Sequence, residues 1–171
     1  LKDHKDFQLY CLSRKEDSHE SVRFIVADLS KDWDETALPE KADVIIHLAQ
    51  SDKFREFPSF DMDVFNVNTY ATLKLLSYAQ KAGVQKFIYA SSGGVYGSSN
   101  ENLEESVRLV SNPDLGFYLT TKFCSELLVE NYKAFYYFGM EKISFEEKVT
   151  VNAQSWKEIQ RPLRKTFKNS T

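Results

Sequence analysis

Residues 86–97 read Lys-Phe-Ile-Tyr-Ala-Ser-Ser-Gly-Gly-Val-Tyr-Gly, an apolar β-rich run that breaks into serines and glycines. Small residues at the carboxyl end of a strand let a ligand approach the backbone. They also make an ordinary turn, and the stretch alone does not choose between the two.

The flanking segments narrow the choice. Asp43 to Ala49 (DVIIHLA) is a nearly continuous apolar run, the type of strand buried on both faces of a parallel sheet. Between it and Lys86, residues 61–82 carry Phe65, Leu73, Leu76 and Ala79 at helical spacing. Gly83 then stands where a helix end favours a left-handed residue. Earlier, Phe7–Leu12 and Val22–Ala27 read as strands, and Asp32-Trp33-Asp34-Glu35 offers an acidic cap to a short helix stopping near Pro39. Downstream, a second long helix is expected from about Pro113 to Phe135, with Leu119, Phe123, Leu127 and Leu128 among its apolar positions. Strands alternating with helices predict right-handed β-α-β units and a doubly wound parallel α/β sheet. Beyond Met140, Lys142–Phe145 and Lys148–Val151 are candidate strands, and Trp156–Phe167 is a candidate helix interrupted by Pro162.

Composition excludes several classes. With 171 residues, 42% hydrophobic and 27% charged, the chain suits one soluble domain. A net charge of −3 gives no global field toward nucleic acid or an anionic membrane. The basic residues Arg161, Arg164, Lys165 and Lys168 read as a solvated helix face. Three histidines and two cysteines, Cys11 and Cys124, lack metal-ligand spacing, so reduced thiols and no zinc are expected. No run reaches transmembrane length and no signal-peptide pattern opens the chain, so a cytoplasmic location is expected.

In a doubly wound sheet, ligands bind beyond the carboxyl ends of the strands. The loops there are Asp28-Leu29, Leu48-Ala49-Gln50 and Ser91-Ser92-Gly93-Gly94. The second long helix contains Tyr118-Leu-Thr-Thr-Lys122, which puts Tyr118 and Lys122 one turn apart on one face. A free tyrosine, with a pKa of about 10, is a poor base at neutral pH, and a nearby ammonium favours its phenolate. A serine such as Ser92 could hydrogen-bond an alcohol oxygen as it becomes a carbonyl. Alone, Y-x-x-x-K also fits a half-buried tyrosine beside a solvated lysine. Its position 26 residues after Ser92, on the next helix, gives it weight.

These motifs, in this order, resemble the extended short-chain dehydrogenase/reductase family, the NAD-dependent epimerase/dehydratases of sugar nucleotides. The resemblance covers roughly Phe7 to Phe145 and implies a Rossmann-like fold. Asp28-Leu29 resembles the acidic pair beside the adenine, and His47-Leu48-Ala49 the strand end along the cofactor. Asn68-Thr-Tyr-Ala-Thr-Leu-Lys-Leu-Leu76 resembles the helix whose first asparagine braces the active site. Lys86–Ser92 resembles the family's most recognisable strand, and Tyr118 and Lys122 match its catalytic pair.

The resemblance implies Tyr118 as general acid/base, Lys122 as its tuner and a ligand of the nicotinamide ribose, and Ser92 as the positioner of the substrate oxygen. Tyr118 and Lys122 are also cofactor candidates, together with Arg14, Asp28, Leu29, Leu48, Ala49, Gln50, Asn68 and Ser91, and Ser92, Gly93 and Tyr96 face a sugar nucleotide. Tyr96 fits a packed loop tyrosine equally well. The second strand ends in Cys11-Leu-Ser13-Arg14, without an acidic residue for a free ribose hydroxyl. Arg14 is therefore either a 2′-phosphate ligand, tilting the choice from NAD to NADP, or a surface arginine.

The first glycine is Gly83, so the first 82 residues hold no glycine-rich phosphate loop, and that unit is expected just before Leu1. Residues 1–145 are read as a partial NAD(P)-binding domain and 146–171 as a divergent tail. A homodimer through the long helices is expected. A non-catalytic binding module and a fragment without turnover of its own are the alternative readings.

Overall fold

The first two strands, β1 (Leu9–Ser13) and β2 (Val22–Val26), run parallel with Leu9 opposite Val22 and Ser13 opposite Val26. Two further strands, β3 (Val44–His47) and β4 (Lys86–Tyr89), form a second parallel pair, with Val44 opposite Lys86 and His47 opposite Tyr89. This computed structural model describes residues 7–96 and 116–139, with side chains described as far as residue 134. The expected α/β order is present, and among the described residues the strands form two two-stranded parallel sheets. The expected elements beyond Met140, and the boundary placed after residue 145, lie outside the described residues.

Asp34 caps a short 3₁₀ turn, Glu35–Ala37, by accepting from the Thr36 amide. Gln80, Gly83 and the next residue close the main helix as the sequence suggests. Gly83 is left-handed at φ 70°, its amide donates to Gln80 O, and the Val84 amide donates to Ala79 O at 3.0 Å. That pair of bonds satisfies carbonyls a helix end would otherwise leave open, with Val84 and Ala79 both buried beneath it.

The helix expected over residues 61–82 is continuous but not uniform. It comprises α1 (Asp61–Phe65), a π-helical turn (Asn66–Tyr70) and α2 (Ala71–Ala82). In the π turn the Ala71 amide donates to Asn66 O, one residue further back than in an α-helix.

The buried positions of α2, Ala71, Leu75, Leu76, Ala79 and Ala82, form one stripe. They pack in a single core with Leu29 and Trp33 after β2 and with Val84, Phe87 and Tyr89 of the β4 segment. Half-buried Leu12 and Ala27 join from the first pair, Ile45 and Ala49 from the second. Lys74 fastens the same junction: its ammonium donates to Trp33 O at 2.6 Å and Asp32 Oδ1 at 3.1 Å and lies over the Trp33 ring. The last helix, α3 (Gly116–Gly139), lies against the π turn and α2, bringing Leu128, Val129 and Tyr132 to the core.

One expectation needs correcting. Strand β3 and its continuation are covered on one face only: Ile45, His47 and Ala49 point inward, while Val44, Ile46 and Leu48 are each about half exposed. An unbroken apolar run looks the same in sequence whether one face or both are covered, because alternation is visible only when the outer residues are polar.

Candidate active site

The carboxyl ends of β3 and β4 meet the first turns of α3, and their contacts build a polar cluster. Ala90 continues β4, its amide donating to His47 O at 3.1 Å. Ser91 and Ser92 follow, and then a 3₁₀ turn, Gly93–Tyr96, whose Val95 is buried. Gly94 packs closely on the tip of the Leu119 side chain. A side chain there would put its Cβ 2.9 Å from Leu119 Cδ1 and Cδ2, whereas Gly93 faces open space. The glycine brings the loop against α3 one residue from Tyr118.

Tyr118 is half-buried, and its hydroxyl donates to Gln50 Oε1 at 2.7 Å. Its ring lies 5.0 Å from that of Phe54. Burial pushes the phenol above its ordinary pKa, and the Ser92 hydroxyl draws it part of the way back. Ser92, Gln50 and Tyr118 are therefore brought together.

Lys122, one turn along, is buried, and its ammonium donates to Ala90 O at 2.8 Å over the Tyr89 ring. Burial lowers its pKa to about 8, against a carboxylate at Glu126 that acts in the other direction. In this arrangement Lys122 addresses the strand end, and the Tyr118 phenol stays protonated at neutral pH. Ser91 does not face the cluster, since its hydroxyl donates to Glu126 Oε1.

Asn68 sits in the π turn with no exposed surface. Its Oδ1 accepts from the Ser51 amide and its Nδ2 donates to Thr121 Oγ1, both at 3.0 Å. It thereby ties the loop after β3 to the turn carrying Tyr118, whose carbonyl accepts from Thr121 Oγ1 at 2.7 Å. The Ser51 hydroxyl donates to Asp63 Oδ1 at 2.5 Å. The Asn68 carbonyl accepts from both Thr72 Oγ1 and Ser125 Oγ, and Thr69 Oγ1 reaches Thr121 O. Hydroxyls and the Asn68 amide thus stitch the π turn to α3.

His47 is buried behind this seam, with Nε2 2.9 Å from Thr72 Oγ1. The one Thr72 hydroxyl hydrogen goes to Asn68 O, so His47 Nε2 carries the donated proton. Burial, and secondarily the Lys122 charge, lowers its pKa to about 3, which makes it a neutral core residue.

Asp28 accepts from the Ser30 amide and hydroxyl and pairs with Lys31, which holds its carboxyl below the usual range. Leu29 is core. Ser30 O accepts from Asn66 Nδ2, so the end of β2 docks on the π turn. Arg14 pairs with Asp52 at 3.4 Å, both well exposed, which carries the end of β1 to the loop holding Gln50. Leu48 is exposed, Ala49 and Tyr96 half-buried. Sequence reasoning did not single out Ser51, Asp63, Thr121 or Glu126. Of these, Glu126 had a visible signal, since it follows Tyr118 and Lys122 at successive four-residue steps.

The model of the NAD dependent epimerase/dehydratase family matches residues 2–144. The chain belongs to this family. Among curated relatives, the dTDP-D-glucose 4,6-dehydratase of Mus musculus is 31% identical over 131 residues, 72% of this chain and 36% of the relative. Among solved structures, MoeE5 in complex with UDP-glucose and NAD aligns at TM-score 0.58 and 26% identity, over 73% of this chain and 40% of that one. A UDP-galactose 4-epimerase aligns at TM-score 0.61 and 25% identity, over 75% and 44%. The chain therefore spans 36% to 44% of the length of these relatives. Their Rossmann-like fold is the fold of this chain.

The residues present fit one end of the dinucleotide that gives the family its name. A buried ammonium has three N–H groups, and Lys122 commits one of them to Ala90 O. With the Ser92 and Tyr118 hydroxyls and the Gln50 amide alongside, this donor set suits a ribose diol and a carboxamide. The pyrophosphate end has no glycine-rich turn among the described residues. No helix of the described residues is long and apolar enough to cross a membrane.

Proposed function

We propose that this chain carries the acid/base centre of a NAD(P)-dependent epimerase or dehydratase acting on a sugar nucleotide. The observation behind this reading is the convergence of Ser92, Gln50 and Tyr118 at the strand ends, with the Lys122 ammonium buried one turn away. A bound nicotinamide supplies the hydride acceptor. The chain's own residues move the proton. Ser92 hydrogen-bonds the sugar hydroxyl. Tyr118 acts as base once it has left Gln50 Oε1 and released its own proton to solvent: the phenolate takes the hydroxyl proton and returns to the neutral phenol. Lys122, charged below a pH of about 8, favours that phenolate. Asn68 keeps the Ser51 loop and the Tyr118 turn in register while this happens.

The dinucleotide end is assigned to Asp28, Leu29, Leu48 and Ala49. Arg14 is the residue a 2′-phosphate would meet. Its pair with Asp52 is exposed and holds it only weakly, so it can turn to such a ligand. A homodimer would use the half-exposed Phe65, Leu73 and Leu127 of the long helices.

The test is a fluorescence titration of the chain with NADH and NADPH, paired with an assay of dTDP-glucose and UDP-glucose conversion. Saturable binding that Lys122→Met weakens, with turnover abolished in Tyr118→Phe, supports the reading. Binding without turnover in any version would leave a non-catalytic cofactor-binding module, and no binding of either nucleotide would reject the reading for this chain.

A further inference from the structure

Two consecutive residues at the end of β4 hold α3 in place. Ala90 O accepts from Lys122 Nζ at 2.8 Å, and the Ser91 hydroxyl donates to Glu126 Oε1. Tyr118, Lys122 and Glu126 follow one another at four-residue steps and so share one helix face. Lys122 and Glu126 are 2% and 3% exposed. Two buried charges on one helix face are a poor source of stability, because each pays for leaving water.

We propose that Glu126 is a positioning residue for the Tyr118–Lys122 pair, fixing the Ser91–Ser92 strand end through its carboxylate and keeping the Lys122 ammonium charged inside the protein. This rests on the reading of Tyr118 and Lys122 as the acid/base pair. Around Lys122, Glu126 lies one turn along its own helix, the Tyr89 ring on β4, and His47, neutral, on β3, while Tyr118 precedes it by one turn on the same face. Glu126 supplies the negative charge in that set. Burial draws the ammonium down to about 8, and the carboxylate opposes the fall. Without it, the lysine would lose its proton within the neutral range, and with it the charge that favours a Tyr118 phenolate.

The test follows Lys122 itself, in the chain without cofactor. With ¹³C-labelled lysine Cε and the Lys122→Arg spectrum for assignment, the Lys122 resonance should titrate near pH 8. Glu126→Gln keeps an acceptor for the Ser91 hydroxyl and removes the charge, and should move that midpoint down by about one pH unit. At pH 8 the charged fraction then falls about fivefold, and NADH affinity should fall by about the same factor and recover by about pH 6. An unchanged Lys122 midpoint in Glu126→Gln would overturn the proposal. Should that variant not fold, the unmodified chain decides the matter: the Glu126 Cδ resonance must show an inflection where Lys122 titrates, and its absence also overturns the proposal. A shifted midpoint in a chain that binds no NADH would support the role of Glu126 while rejecting the cofactor reading.

Discussion

The Tyr118 hydroxyl donates to Gln50 Oε1 at 2.7 Å, joining the first turn of α3 to the loop after β3. A bond donated by the phenol stabilises its neutral form, and burial acts in the same direction. The tyrosine therefore rests as an acid, with its proton directed at an amide oxygen that cannot accept it fully.

Gln50→Ala removes that acceptor and opens the phenol to solvent. Both changes favour the phenolate, so the Tyr118 titration should move to lower pH. Phenolate absorbance, taken as the difference between Gln50→Ala and Gln50→Ala/Tyr118→Phe, reads it. A shift to higher pH would contradict the account.

Tyr118→Phe keeps the ring against Phe54 and removes the proton carrier. Conversion of the sugar nucleotide should drop by about 10²- to 10⁴-fold, far more than NADH affinity, which loses one hydroxyl of its donor set. Stopped assays with matched titrations separate the two effects.

Asn68→Asp should cost stability despite its near-identical shape. The new carboxylate can still accept from the Ser51 amide. Where Nδ2 donated, however, it faces Thr121 Oγ1, whose hydrogen is already given to Tyr118 O. Stranding a buried polar group costs about 1–3 kcal/mol, and more when it is charged. A urea midpoint equal to that of the parent chain would show that the seam tolerates the charge.

His47 makes the fold acid-sensitive. Its folded pKa of about 3 lies below the ordinary 6.5, so between these values the unfolded chain binds the extra proton. Stability is intact above about pH 6.5 and falls as pH drops toward 3, with a slope of up to about 1.4 kcal/mol per pH unit. Denaturant titrations at several pH values should show this slope, and His47→Asn should flatten it.

Gly83→Ala tests the helix end. At φ 70° an alanine Cβ is strained even though no atom lies near it, and about 1 kcal/mol should be lost.

Much of the fold was legible because its signals are local. The α2 stripe from Ala71 to Ala82, the left-handed Gly83 and the Asp34 cap each depend on neighbours within a few residues. Tyr118 and Lys122 were legible for the same reason, since they are separated by one helical turn. The seam behind them was not. Asn68 and Thr69 meet Thr121 and Ser125 across about fifty residues of chain, and no periodicity marks a hydroxyl that will be paired in the interior. The pairing of Arg14 with Asp52, and of Ser91 with Glu126, was equally hidden.

The π turn at Asn66–Tyr70 has a geometric consequence. Five residues along a regular α-helix sweep about 500°, which leaves two side chains roughly 140° apart. Asp63 and Asn68, five apart, nevertheless both reach Ser51, one at its hydroxyl and the other at its amide. The surplus residue resets the helix's angular phase between them. The segment therefore works as two rulers joined end to end, the upstream one indexed to the loop after β3 and the downstream one to α3, with Ser51 the mark they share.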